Sequence, residues 1–431
     1  MFTENAQRFA NARLDTWKSI AQHLGRSTRT VQRWRSEYGL PVRHLGGDAT
    51  SVFAYIDELN DWLRGRNQAE PQETVERLES NWPQDDPPLL SVLTTGARRS
   101  VVALGTSGPS GRRAAELVAL AQEMWKSLSD ANLCSIVRTY RIASDVDPAN
   151  AEAFAGLSQT LIAAGLLGQL HTSDAYPSAQ AALQRAMELD PDLVETRCSA
   201  AWLKLLVIRD WTGAGVGFDE ILIERPECLP ALVGRALLSL AEGRLADAAD
   251  LLREASIRHP LNTAATALLC WQEYLAGNFE NALAFVTQAR AGGHAGAILD
   301  AVEALASVLL KGPASDIEKL TLPLQDFPRH YAQLGVHGYV YGMCGQEEKA
   351  REIIDSMTVL GIRGKCDYAY AMALTYLGLN EPRPAMEWIK ESYLQGSLWS
   401  LGFRLDPILM PLRTDPRIGQ WFDRTVSPVG D

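Results

Sequence analysis

The side chains of this sequence best placed to do chemistry are a row of arginines. Arg26, Arg29, Arg33 and Arg35 share the stretch 26–35 with Gln32. A guanidinium is a planar fork of N–H donors, and a primary amide pairs a donor with an acceptor. Together they are the groups that bind phosphates and the edges of base pairs. Ser27, Thr28 and Thr30 add hydroxyls to the same stretch, and Arg43 and His44 follow it. Residues 13–44 hold seven Lys or Arg against two acids, within a chain of net charge -11. A basic island on an acidic protein is the electrostatic footprint of a phosphate-binding surface. The plainer alternative is a charge row that only solvates an exposed helix.

Those side chains need a rigid carrier. Trp17, Ile20, Ala21 and Leu24 recur at helical spacing and predict one helix. Gly25 can end it, and Ser27 can cap the next by accepting a bond from an orphan N–H. In that second helix Val31, Trp34 and Tyr38 face inward and the arginines are left outside. Pro41 has no N–H and forces the chain out of the helix. Gly46 and Gly47 allow a reversal, Val52 and Phe53 resume an apolar run, and Tyr55, Ile56, Leu59, Trp62 and Leu63 predict a third helix. The plan is helix, turn, helix, short hairpin, helix. With its Ile20–Trp34, Gly39–Val42 and Tyr55–Leu63 segments, the stretch of roughly 13–66 resembles the winged helix-turn-helix of MerR and excisionase proteins. That resemblance implies double-stranded DNA as partner, with the second helix as reader. The chain lacks the long coiled-coil helix through which MerR proteins usually dimerise, so a homodimer is left open.

No other cluster suggests catalysis. The seven histidines stand apart from one another, no Gly-x-Ser-x-Gly or His-Glu-x-x-His pattern occurs, and the six cysteines are scattered singly. They read as small buried hydrophobes of a reducing compartment. Gly105-Thr-Ser-Gly-Pro-Ser-Gly111 lacks the Gly-Lys-Ser/Thr ending of a phosphate loop. The expectation is a non-enzyme with no cofactor and no metal. No apolar run is long enough to span a bilayer and no leader is evident. The protein is expected in the cytoplasm, away from membranes.

Prolines, glycines and serines mark 67–112 as a linker. Beyond it the sequence repeats. Pro148, Pro191, Pro226 and Pro260 lie 43, 35 and 34 residues apart, and further steps of 34 reach His294 and Pro328. A period near 34 predicts stacked helical hairpins. The interiors agree: Ala179, Leu183 and Ala186, then Ala248, Leu252 and Ala255, then Ala282, Val286 and Ala289 supply the small and bulky residues of a second helix. This part resembles the tetratricopeptide repeat (TPR) proteins. The extra length before Pro191 predicts a loop around His171 to Pro177, and Pro313 and Pro323 predict a distorted unit after His294. The template puts Trp271, Tyr274, Tyr339, Met343 and Tyr376 on the concave side, with Leu237, Leu240 and Leu305. The resemblance thus implies a groove that is either an apolar effector or partner surface or one filled by the protein's own parts. The alternative is that these side chains pack between repeats.

The expected molecule is mainly α: a winged helix-turn-helix over 1–66, a linker over 67–112, a TPR superhelix over 113–396, and a segment over 397–431 that caps the last repeat. The expected function is a bacterial-type DNA-binding transcription regulator whose solenoid senses a protein or an apolar small-molecule effector. Two alternatives stand beside it. One is a scaffold or adaptor whose N-terminal module binds protein, and the other is an excisionase-like architectural DNA-binding factor.

Overall fold

The computed structural model describes residues 13–14, 16–23, 35, 40–44, 52–55, 58–59, 108–128, 132–312, 331–362, 368–415 and 418–425. The chain divides into two compact units, 1–80 and 81–431.

The first unit holds β1 (Arg13–Leu14), α1 (Trp17–His23), β2 (Arg43–His44) and β3 (Val52–Tyr55). The sheet order is β1-β3-β2, with both pairings antiparallel: Arg13 faces Tyr55 on one side of β3 and Arg43 faces Phe53 on the other. The expected hairpin is therefore β2 with β3. Tyr55, however, belongs to β3 and not to a third helix. The alternation of buried Val52 and Ala54 with half-buried Phe53 and Tyr55 is a strand period, which takes Tyr55 out of the helical stripe; Leu59 of that stripe is helical and buried, and Ile56, Trp62 and Leu63 lie outside the described residues. Ile20, Leu40, Val42, Val52, Ala54 and Leu59 form the core, with Leu14 and Trp17 packed against it.

The second unit is a series of helix pairs joined by short turns. It opens with α2 (Pro109–Lys126) and α3 (Leu133–Val146). Pro109, read as a linker breaker, is the first helical residue of α2, where its missing N–H would have had no partner. The pairs that follow are α4 (Ala151–Leu166) with α5 (Thr172–Leu189), α6 (Val194–Leu203) with α7 (Trp211–Glu224), α8 (Leu229–Ala241) with α9 (Leu245–Arg258), and α10 (Thr263–Leu275) with α11 (Phe279–Ala291). After them come α12 (Ala297–Lys311), α13 (Tyr331–Met343) with α14 (Glu347–Ile362), and α15 (Ala369–Gly378) with α16 (Pro382–Leu394). From α4 to α13 the first helices start at steps of 43, 35, 34, 34 and 34 residues, which is the period the prolines mark. The second unit is a TPR-like solenoid of helical hairpins, and the chain as a whole is mainly α.

Local chemistry sets the helix starts. The side chains of Asn150 and Asn262 cap α4 and α10 by accepting from Ala153 N and Ala265 N at 2.9 and 3.0 Å. Small residues set the packing. Ala179, Ala186, Ala248, Ala255 and Ala282 are fully buried on the second helices. On α13, Gly335 lies so close to α15 that a Cβ there would sit 2.4 Å from Ala371 Cα. The expected loop at His171 to Pro177 is helical instead. His171 caps α5 through its ring nitrogen, and Pro177 sits inside the helix, where only one turn precedes it. Pro313 and Pro323 lie outside the described residues.

Candidate functional site

In the first unit the sheet carries Arg43 and anchors Arg35. Arg26, Ser27, Thr28, Arg29, Thr30, Gln32 and Arg33 lie outside the described residues, as do the side chains of Trp34 and His44; His44 itself is in β2. Arg35 is helical and half-buried, and its Nε donates to the Val42 carbonyl at 3.0 Å. It ties a helix to the entry of β2, so its guanidinium is not simply held out to solvent. Arg43, on β2, is exposed and pairs bidentately with Glu58, at 2.5 and 2.8 Å, and its guanidinium lies 5.6 Å from the Tyr55 ring centroid. The hydrogen bonds Arg43 donates to Glu58 raise its already high pKa, so the wing carries a permanent cation.

In the solenoid the aromatic residues assigned to the concave side part company. Trp271 and Tyr274 are fully buried, and what covers them is the C-terminal segment. After α16 the chain forms short 3₁₀ turns at Leu398–Gly402 and Pro407–Leu409, then α17 (Met410–Thr414) and α18 (Gly419–Thr425). Trp399 stacks on Tyr370 at 5.1 Å between ring centroids and meets Trp271 edge-on at 5.6 Å. Phe403 stacks on Tyr370 at 5.9 Å. Gly402 allows the close approach, because a Cβ there would lie 2.6 Å from the Trp271 ring.

At the centre sits Asp406, 2 % exposed. Tyr274 donates to its Oδ1 at 2.6 Å, Tyr370 to its Oδ2 at 2.5 Å, and Ile408 N to Oδ1 at 3.2 Å. Burial raises the Asp406 carboxyl above its usual range, against the lowering effect of both hydroxyls, the Ile408 N–H and Arg413. Burial also drives both tyrosines well above their ordinary value, so they stay protonated donors. Nearby, Tyr176 donates to the Gly396 carbonyl at 2.8 Å. Arg209, at a left-handed backbone position, bonds the Tyr393 carbonyl and lies 4.1 Å over the Tyr393 ring.

Of the two states implied for the groove, the filled one therefore holds at Trp271 and Tyr274, and neither is available to an effector. The segment expected to cap the last repeat touches that repeat, Trp421 meeting Tyr393 edge-on at 5.5 Å, and also packs along the inner helices. It does so because Leu401, Phe403 and Leu409 are apolar enough to bury completely there. Tyr339 and Tyr376 are half-buried. Tyr376 packs with the cluster around Ile353, Met357 and Met372, which is contact between helices of neighbouring repeats. Met343 is half exposed. Asp406 and Arg209 were missed by motif reasoning, since nothing local distinguishes a buried Asp-Pro turn from a surface one.

An unfilled apolar pocket remains farther toward the start of the solenoid. Trp125, Ile162, Leu166, Trp202, Leu229 and Leu268 line it, with some 560 Å³ of empty space that includes open solvent. Its polar neighbours are already engaged. Asn262 Nδ2 donates to the Trp125 carbonyl at 3.3 Å, Trp202 Nε1 to the Pro230 carbonyl at 3.0 Å, and Gln159 Nε2 to the Glu195 carbonyl at 3.2 Å. Thr263 N also bonds the Leu128 carbonyl at 3.1 Å, which joins the end of the α2 region to the start of α10. What the pocket offers is apolar surface.

A family model described as a homeodomain-like domain matches residues 6–41. No curated protein matches the chain. Among solved structures the chain is similar to the APC/C hetero-tetramer Cut9-Hcn1, at 15% identity and TM-score 0.48, over 74% of this chain and 57% of that one. It is similar to yeast Tom70 at 13% identity and TM-score 0.41, over 94% of this chain and 83% of that one. It is also similar to a tetratricopeptide repeat protein from Parabacteroides merdae, at 16% identity and TM-score 0.38, over 64% and 99%. No described helix is long and apolar enough to cross a membrane.

Proposed function

We propose that the chain is a non-enzymatic DNA-binding transcription regulator of bacterial type, acting in the cytoplasm. The observation that carries this reading is a coincidence of place: the homeodomain-like match over 6–41 covers all of the basic island but Arg43, and the paired β-hairpin that follows carries Arg43. Helix-turn-helix proteins read DNA with the second helix in the major groove, and a following hairpin adds a contact beside it. The strand before α1 and the hairpin after the reading helix favour the MerR or excisionase type of wing. The solenoid serves as the partner or effector arm. It works through the apolar pocket around Trp125 and Trp202, since the aromatic cluster at Trp271 is filled by the chain itself.

The test is anisotropy titration of the full chain on duplex DNA from its own upstream region and on random duplex, across a salt series. Arg29→Ala or Arg33→Ala should weaken specific binding by about 1–3 kcal/mol if the arginine reads a base. A phosphate contact would instead weaken all sequences alike and lower the salt slope by about one. Unchanged affinity in both variants, with helicity intact, would remove the DNA-reading proposal and leave the N-terminal module as a protein-binding adaptor.

A further inference from the structure

The lining of the apolar pocket restricts what can bind in it. Every other helix from α2 to α10 contributes: Trp125 comes from α2, Ile162 and Leu166 from α4, Trp202 from α6, Val233 from α8 and Leu268 from α10. None of the fourteen lining residues is ionisable. A carboxylate or ammonium taken in there would lose its water and gain no partner of opposite charge. The polar side chains are also turned inward on the chain. Asn262 Nδ2, Trp202 Nε1 and Gln159 Nε2 each donate to a backbone carbonyl, and Asn262 Oδ1 accepts from Ala265 N at 3.0 Å. An extended peptide carries an N–H and a C=O at nearly every residue and would leave them unpaired against this lining. A helical peptide is too large. Two turns of helix, about 10 Å across and 11 Å long, displace about 850 Å³, whereas the empty space is some 560 Å³ even with open solvent included.

We propose that the pocket takes an uncharged hydrophobic small molecule, which holds the end of α2 to the start of α10 from inside. The proposal rests on the reading of the pocket as the solenoid's effector surface. The end of α2 closes one side of the pocket: the Leu128 carbonyl accepts from Thr263 N at 3.1 Å, and the Trp125 carbonyl from Asn262 Nδ2 at 3.3 Å. These two bonds join the first hairpin to α10 across as many as 137 residues. Trp125 and Leu128 line the pocket on one side of that seam, and Ala264 and Leu268 on the other. A ligand in contact with both sides adds apolar contact across the seam, and so favours the closed arrangement over any in which the first hairpin has parted from α10.

The experiment titrates the full chain with N-phenyl-1-naphthylamine, a neutral dye that fluoresces in apolar surroundings. The dye is then displaced at neutral pH with 1-decanol, decanoate or decylammonium, which share one chain and differ in charge. Decanol should displace it, and either ion should be at least about tenfold weaker, since each must bury an unpaired charge. Hydrogen exchange with the dye bound should show added protection at the end of α2 and the start of α10. Ala163→Phe and Ala264→Phe enlarge half-buried lining residues and should abolish dye binding with helicity intact. If these variants do not fold, the wild-type displacement series and exchange map still decide. No dye binding, equal displacement by an ion, protection away from the pocket, or dye binding kept in both folded variants would overturn the proposal. Displacement by decanol as expected, with the chain's affinity for DNA unchanged, would support this ligand class and remove the effector role instead.

Discussion

The Asp406 clamp makes a quantitative prediction about what keeps the C-terminal segment inside the solenoid. Asp406→Ala removes the acceptor of two buried tyrosine hydroxyls, at 2.6 and 2.5 Å, and of the Ile408 N–H. Each buried donor left without a partner costs about 1–3 kcal/mol, so the hydroxyls alone set a loss of about 2–6 kcal/mol. Tyr274→Phe or Tyr370→Phe removes one hydrogen bond to a charged group and leaves the others, for about 1.5–3 kcal/mol each. In the Asp406→Ala background the same Phe substitutions should cost close to nothing, or restore stability, because each deletes an orphaned hydroxyl. Urea unfolding of the full chain, followed by far-UV circular dichroism, measures all of these. Additive losses would refute the clamp, for they would mean the three groups act apart. A pH series adds a second check. Burial raises the folded-state pKa of Asp406 above its ordinary 3.8. A carboxyl raised in the folded state contributes stability that is full below the unfolded pKa and is lost as pH rises through the folded one. The advantage of wild type over Asp406→Asn should therefore be greatest below about pH 4 and shrink as pH rises. A growing advantage would mean that the tyrosine hydrogen bonds outweigh burial and that the folded pKa is depressed.

Two further outcomes follow from the packing and the wing. Gly335→Ala should destabilise the solenoid by about 1–3 kcal/mol through overpacking, because the new methyl meets Ala371 backbone and not a movable side-chain tip; a wild-type urea midpoint would mean that α13 and α15 are not held at that distance. Glu58→Gln should strengthen binding to any duplex and steepen the salt dependence by about one unit, because it frees Arg43 from its bidentate partner and removes an acid from the wing. Unchanged affinity and slope would place Arg43 outside the DNA contact.

What the sequence made legible was local. The period near 34 is written in helix breakers, and the first helices do start at that step, because each hairpin needs only its neighbours to bury its face. The buried alanines at 179, 186, 248, 255 and 282 were legible for the same reason, since two helices that cross closely admit nothing larger. The errors came where position within an element changes a residue's meaning. Pro109 at the first helical position starts α2, and Pro177 one turn into α5 is carried by a helix already begun. Tyr55 fits both a helical stripe and a strand face, and pairing with Arg13 decides for the strand.

The concave face of the solenoid separates what a residue's type can tell from what only the assembled repeats can. The aromatic, uncharged character of Trp271 and Tyr274 was readable, and it already argued against a groove built to clamp a peptide carboxylate with Lys or Arg. The occupant was not readable. Asp406 lies 132 residues from Tyr274 and 36 from Tyr370, and the three meet only because small rotations add up over successive repeats. No local period encodes that sum. The carboxylate that reaches the groove is the chain's own, and the side chains that hydrogen-bond it are tyrosine hydroxyls, with Arg413 adding a nearby positive charge. That choice is consistent with burial. A fixed cation facing Asp406 would have to be desolvated along with it, whereas two neutral donors satisfy the carboxyl in either protonation state. The filled end of the groove is therefore a structural core, and the surface proposed for a partner or effector is the apolar pocket around Trp125 and Trp202, which the chain leaves unfilled.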